Sequence, residues 1–228
     1  MFTEVLLVTV LSYLIGSIPV GYIVVKLIKG IDVRTVGSGR VGTTNTVRAA
    51  GPLAGLITSL LDAGKGILVA YLAHLIIPSS VWMKVIAVLL AVIGQIFSIF
   101  LIERSENGKF RLHGGAGGMT TLGGAVALWP MGLVIILPVV LLVYIGVGYA
   151  SLTTISIAFI SLVIFSFNAI RGVSPWQYLI YGVAALLIVL YTLRPNLQRL
   201  INGTERTVGL RAYFQKRAER SISTDSSK

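Results

Sequence analysis

Residues 112–170 carry no formal charge. In lipid, a run like this must satisfy its backbone polar groups internally, which helices do. Further apolar runs cover about residues 4–27, 53–77, 81–102 and 178–193, and they read as spans. Pro130, Pro138 and the polar run 148–154 divide the uncharged stretch. That division predicts a short helix at about 120–129, a second at 131–148 kinked by Pro138, and a third at 151–167. The first is too short to cross a ~30 Å hydrocarbon core upright, so it reads as a half-span completed by the glycine loop before it. The expected fold is all-α: a polytopic membrane protein of about seven transmembrane helices, one of them short.

Composition agrees. The chain of 228 residues is 55% hydrophobic and 12% charged, against about 25% charged in soluble domains. Its net charge of +11 would suggest nucleic acid in a soluble protein. Here the charge gathers in three places: a loop at about 30–50, a loop at 103–111 that holds Glu106 and Lys109, and the segment from Arg194 onward. The other connections hold only Arg171, with Lys84 close to one of them. The positive-inside rule then places the three basic segments and the C-terminus in the cytoplasm and the N-terminus outside, with no nucleic-acid partner. The N-terminus lacks a basic n-region, and its first apolar run is too long for a signal peptide, so it reads as a retained span. Residues 1–205 form one integral membrane domain in this reading, and 206–228 a basic, flexible tail. There are no cysteines and only His74 and His113. A Ser/His/Asp triad or a multi-histidine metal site has little raw material.

The polar exception is Gly37-Ser38-Gly39-Arg40-Val41-Gly42-Thr43-Thr44-Asn45-Thr46-Val47-Arg48. Glycines let the backbone curl with its amides inward, and arginines beside them favour an oxyanion, so this is a phosphate cradle. Gly37-x-Gly39-x-x-Gly42 formally matches a dinucleotide fingerprint, but no βαβ unit surrounds it. The lysine of a Walker A loop is missing as well, which argues against ATP. Gly114-Gly115-Ala116-Gly117-Gly118 leads into a helix and reads as a second anion nest or as a flexible linker. Asp62 and Lys65 lie on one helix face; they are either a structural ion pair or the wall of a polar cavity. Gln95 alone reads as an interhelical hydrogen-bonding group. Gly16-Ser17-Ile18-Pro19 reads as a packing kink in the first span.

Together these motifs resemble the bacterial acyl-phosphate:glycerol-3-phosphate acyltransferase family. The cradle is similar to its GSGN-x-G-x-TN-x-x-R signature. Gly16-Ser17-Ile18-Pro19 and Asp32-x-Arg34 match upstream, and Leu61-Asp62-x-x-Lys65-Gly66 matches its LD-x-x-KG. Gly94-Gln95-x-Phe97-x-x-Phe100-Leu101 resembles its GH-x-F-x-x-FL, and Gly114-Gly115-Ala116-Gly117 its GGKG. Asn196, Arg199 and Asn202-Gly203-Thr204-Glu205 resemble its closing H-x-x-N and NGTE pattern. The resemblance runs along almost the whole chain.

It implies a seven-helix enzyme of the bacterial cell membrane with its active site on the cytoplasmic face. Such an enzyme moves an acyl group from acyl phosphate to glycerol 3-phosphate, giving lysophosphatidic acid for phospholipid synthesis, with no cofactor and no metal. Ser38 and Asn196 become the candidate catalytic residues, Asn196 orienting glycerol phosphate or its hydroxyl. Gly37, Gly39, Arg40, Gly42, Thr44, Asn45, Arg48, Gly114, Gly115 and Gly117 become phosphate-binding candidates. Asp62, Lys65 and Gln95 become cavity wall. Four positions depart from the family: Arg40 stands for Asn, Gln95 for His, Ala116 for Lys and Leu193 for His. One cation is lost at position 116 and one gained at 40, so Arg40 is expected to supply the charge that Ala116 lacks. The alternative is a paralogue that lost catalytic groups and binds a phosphorylated lipid or metabolite as a regulator. A small transporter is disfavoured because the ionisable groups collect on one side.

Overall fold

The computed structural model describes residues 1–104, 108 and 110–225. Glu106 and Lys109, part of the expected basic loop, and residues 226–228 of the expected tail lie outside the described residues.

The first span is split. Helix α1 (Phe2–Ser17) and helix α2 (Val20–Lys29) are separated by Ile18 and Pro19. Proline lacks an N–H and pushes the residue before it out of the helical region, and Ile18 has ψ 116. A 3₁₀ turn, Val33–Thr35, leads to the cradle and to the short helix α3 (Thr43–Ala50). Helix α4 (Pro52–Ile76) starts on a proline whose missing amide costs nothing there. Helix α5 (Val81–Ile96) is capped by Ser80, whose hydroxyl accepts from the Met83 amide at 3.2 Å.

The expected helix 81–102 ends early. Ser98–Arg104 is a strand, β1, paired antiparallel with β2 (Phe110–His113). The run Ser98-Ile99-Phe100-Leu101-Ile102 is β-branched and aromatic, which suits a pleated surface. The Ser98 hydroxyl also donates to the Ser17 carbonyl at 2.5 Å, which turns the chain away from the helix axis. Glu103 in β1 accepts from His113 at 2.9 Å and from Arg34, and so ties the hairpin to the loop before the cradle.

The uncharged stretch forms α6 (Gly118–Leu128), α7 (Gly132–Leu142) and α8 (Ala150–Ile170), close to the expected breaks. A wider π-type turn, Val143–Val147, follows α7, which contains Pro138. Helix α9 (Gln177–Ile201) runs well past the expected end at 193 and carries Asn196 and Arg199 on regular helix. The tail expected to be flexible is helical as well: α10 spans Gly209–Asp225. Its sequence is rich in Arg, Lys, Ala, Gln and Glu, all strong helix formers.

Among the described residues, four stretches are long and apolar enough to cross a membrane: Phe2–Lys29, Pro52–Ile76, Ala150–Ile170 and Gln177–Ile201. Val81–Ile96, Gly118–Leu128 and Gly132–Val147 are shorter apolar helices. The chain is a helical, polytopic membrane protein. Its main core packs α1 on α5, α4 on α6 and α8 on α9 around Tyr181. The Tyr181 hydroxyl donates to the Thr121 carbonyl at 2.6 Å, and its ring meets Phe165 edge-on.

Helices α4 and α6 touch backbone to backbone. A Cβ added at Gly123 would overlap the Ala63 carbonyl, and one at Gly66 would lie 2.5 Å from the Gly124 nitrogen. Small residues are how membrane helices reach this separation. Gly123→Ala is therefore expected to force the pair apart and cost about 1–3 kcal/mol, read as a lowered unfolding temperature of the detergent-solubilised protein. An unchanged unfolding temperature would show that the interface yields.

Candidate functional site

The cradle turns on two glycines in left-handed conformation, Gly37 at φ 55 and Gly39 at φ 72. A side chain at either would be strained, and a Cβ at Gly37 would also strike the Asn45 side chain. Asn45 is 2% exposed and holds the loop. Its amide nitrogen donates to the carbonyls of Val33, Val36 and Arg40, each at 2.9 Å. Its oxygen accepts from the Ser38 amide at 3.1 Å. Other cradle amides are taken as well: Gly39 donates to Val36 and Val41 to Gly114. The nest is therefore less open than its glycine content implies. The Ser38 hydroxyl stays free among the described residues, on an exposed position.

What opens inward instead is a pair of helix starts. Gly42 precedes α3, and Gly117, at φ 79, precedes α6. The first amides of a helix have no acceptor inside it, and the dipole adds positive potential there. The two starts are adjacent, since a Cβ at Gly42 would lie 3.9 Å from the Gly115 Cα. Gly114 and Gly115 pack on the end of α5, and the Gly115 amide donates to the Gln95 carbonyl at 2.8 Å. They shape the loop, as Gly37 and Gly39 do in the cradle.

A cavity of about 490 Å³ opens between these starts. Its polar end is lined by Ser38, Arg40, Gly42, Thr44, Asn45, Arg48, Ala116, Gly117 and Asn196. Gly37, Gly39, Gly114 and Gly115 stand behind this wall. Of the three expected wall residues, Asp62 and Gln95 face the cavity. Lys65 stands one layer back. Its ammonium bonds Asp62 at 2.8 Å, the Ile18 carbonyl at 2.8 Å, the Gly16 carbonyl at 3.2 Å and the Gln95 oxygen. Gln95 also donates to Asp62 at 2.9 Å. The ion pair and the cavity wall, held apart as alternatives, are one arrangement.

Asn196 donates to Glu205 at 2.8 Å, while its own buried oxygen accepts from no group among the described residues. Glu205 also holds Arg199 at 3.2 Å. Arg40, Arg48, Arg199 and Arg206 thus surround the polar end, with Glu205 as the carboxylate among them. Arg199, Glu205, Arg206 and Tyr144 are cavity residues that the sequence did not single out as site residues. Arg206 falls in the segment expected to be tail, and Arg199 and Glu205 fall just before it.

Arg40 and Ala116 line the same cavity, and Arg40 donates to the Thr192 carbonyl at 2.9 Å. Guanidinium carries five N–H donors, so most of its donors remain available. Burial pushes the Arg40 pKa below the usual value, and nearby Arg199 adds to the effect while Glu205 opposes it. Burial lowers Arg48 in the same way, with Arg206 adding to it. A cation strained by desolvation and like charge is relieved by a bound anion.

The other end of the cavity is apolar. Leu56, Leu60, Leu122, Leu137, Val140 and Ile157 line it, from α4, α6, α7 and α8. One space therefore joins an arginine-lined head to an apolar limb.

Comparison with known proteins places these features in context. Residues 6–203 match the family model described as glycerol-3-phosphate acyltransferase. Glycerol-3-phosphate acyltransferase 2 of Moorella thermoacetica is 36% identical over 207 residues, covering 91% of this chain and 99% of that one. Glycerol-3-phosphate acyltransferase of Thermotoga petrophila is 41% identical over 206 residues, covering 88% and 95%. Among solved structures, the glycerol 3-phosphate form of PlsY, an integral membrane glycerol 3-phosphate acyltransferase, superposes with a TM-score of 0.76. It is 31% identical and covers 90% of this chain and 96% of its own. Its lysophosphatidic acid form gives a TM-score of 0.77 at 30% identity.

Proposed function

The chain belongs to the glycerol-3-phosphate acyltransferase family, and from that premise we propose that it transfers an acyl group from acyl phosphate to glycerol 3-phosphate, releasing lysophosphatidic acid and inorganic phosphate. The observation that carries this reading is the single cavity in which two helix starts and four arginines meet an apolar limb. Both substrates bear phosphate, and one bears an alkyl chain. The chain lies in the apolar limb, and the phosphates lie at the arginine-lined end. On the charge distribution, that end faces the cytoplasm of a bacterial cell membrane. Residues 1–205 hold the acyl-transfer machinery, together with Arg206 just beyond them.

In the reaction the hydroxyl oxygen of glycerol 3-phosphate attacks the acyl carbon. The new ester C–O bond forms, the bond from acyl carbon to phosphate oxygen breaks, and phosphate leaves. The proton goes to a phosphate oxygen. Glu205 is a poor base here because Asn196 and Arg199 hold its two oxygens. The unpaired oxygen of Asn196 accepts from the attacking hydroxyl and orients it. Ser38 donates its free hydroxyl to a phosphate, and Arg40 and Arg48 grip phosphate by charge-assisted hydrogen bonds. Acyl phosphate is already activated, so positioning and charge stabilisation supply much of the rate.

Purified protein given acyl phosphate and glycerol 3-phosphate is expected to form lysophosphatidic acid. Product from an acyl thioester but none from acyl phosphate would overturn the assigned donor. Arg40 stands in for the cation absent at Ala116 in this proposal. Arg40→Ala is therefore expected to raise KM for one phosphate substrate by about tenfold or more, with partial recovery in Arg40→Lys. Unchanged KM values for both substrates would remove Arg40 from the site.

A further inference from the structure

The match to the family model ends at residue 203, and α10 lies wholly beyond it. This helix carries Arg211, Lys216, Arg217 and Arg220 against Glu219 and Asp225, and it is not among the helices apolar enough to cross a membrane. Yet Leu210, Tyr213 and Phe214 are 51%, 59% and 58% exposed. Their spacing of i, i+3 and i+4 puts them on one helical face.

The start of α10 is fixed. Val208 is buried, and its amide donates to the Gly148 carbonyl at 2.9 Å. Thr207 bridges to Tyr149, and the Arg211 guanidinium lies 4.7 Å from the centre of the Tyr149 ring. The Thr207 hydroxyl donates to Gln215 at 2.6 Å, bracing the first turns. The turn that receives this anchor also supplies Tyr144 to the cavity wall. Helix α10 therefore leaves the membrane domain at the cavity's own face, beside its mouth.

An apolar, aromatic face on a basic helix held at a membrane face has one complementary surface at hand. We propose that α10 lies along the membrane and seats anionic phospholipid headgroups beside the cavity mouth. Leucine and the two aromatic rings enter the headgroup layer, and Arg211 and Arg217 meet lipid phosphate. A second copy is the poorer occupant, because two such helices repel each other in a chain of net charge +11. Lipids held there would stand where the acyl donor enters and the lipid product leaves. The placement rests on the membrane fold and the anchor, not on which acyl donor is used.

The test uses the full chain in nanodiscs of phosphatidylcholine alone or with phosphatidylglycerol added, read by amide hydrogen exchange over residues 210–217. Exchange is expected to slow by about tenfold or more in the anionic discs. Added salt should reverse this, and the variant Tyr213→Ser/Phe214→Ser/Arg217→Gln should not show it. Exchange that is equal in the two bilayers overturns the proposal. So does protection that persists in lipid-free detergent and rises with protein concentration, which would assign the face to a second copy. Because exchange is read without turnover, failure here would leave the acyl-transfer reading standing.

Discussion

Asn45→Asp is expected to lower kcat/KM by about a hundredfold or more and to lower the unfolding temperature in the same protein. The two side chains have nearly the same shape, so the change tests hydrogen-bond direction and charge without a change of size. Asn45 donates to three backbone carbonyls, of Val33, Val36 and Arg40, and accepts from the Ser38 amide. A carboxylate keeps only the last of these and turns its charge toward three carbonyl oxygens. The Val33 and Val36 carbonyls keep the Val36 and Gly39 amides, while that of Arg40 loses its donor; a buried carbonyl left so costs about 1–3 kcal/mol, and each 1.4 kcal/mol that reaches the transition state is about tenfold in rate. The carbonyl of Arg40 is among those released, so the arginine is displaced with it. A direct ligand of phosphate would behave differently: KM would rise with no thermal penalty. An Asn45→Asp protein that unfolds like the wild type would show that the amide contacts substrate and does not hold the loop.

Asn45 also shows what the sequence could and could not convey. Its place in a glycine-rich basic loop marks it as part of an anion site. Nothing local says that its amide points back into the loop, because its acceptors lie up to twelve positions upstream and their carbonyls carry no sequence signature. Gly37 and Gly39 are similar: they mark the loop correctly, but their φ values serve the turn, and the amides they were expected to present are partly taken. The apolar runs and prolines were legible because lipid allows few backbone solutions. The hairpin was not, because the run 97–102 is as hydrophobic as a span, and the distant contact from Ser98 to Ser17 that turns the chain leaves no local mark. Arg199, Glu205 and Arg206 were hidden for the opposite reason. Charge density made the segment look like a solvated tail, while α9 carries Arg199 to the cavity and the turn after it brings Glu205 and Arg206 there.

The largest stability effect is expected at Lys65, and its explanation begins at Pro19. Separating α1 from α2 frees the carbonyls of Gly16 and Ile18 at membrane depth, where no water is at hand. The Lys65 ammonium takes both while pairing with Asp62, which is 2% exposed. Lys65→Met therefore leaves the Gly16 carbonyl without a donor, the Ile18 carbonyl with the Val20 amide alone, and a buried carboxylate whose remaining donor is Gln95. Breaking a buried pair from one side costs about 3–5 kcal/mol, and the orphaned Gly16 carbonyl adds about 1–3 kcal/mol. The double change Asp62→Leu/Lys65→Met separates the two terms. If the ion pair were the whole role, removing both charges would restore most of the stability, since an apolar replacement for a buried pair is often neutral or better. If the lysine also closes the helix break, the double variant recovers only the carboxylate's share and stays below the wild type. Partial recovery is the expected result, read from denaturant or thermal unfolding in one detergent for all three proteins. Full recovery would mean that the break satisfies its own carbonyls. The same experiment bears on catalysis, because Gln95 contacts both charged partners and faces the cavity. Releasing it should lower kcat even in the double variant that regains part of its stability.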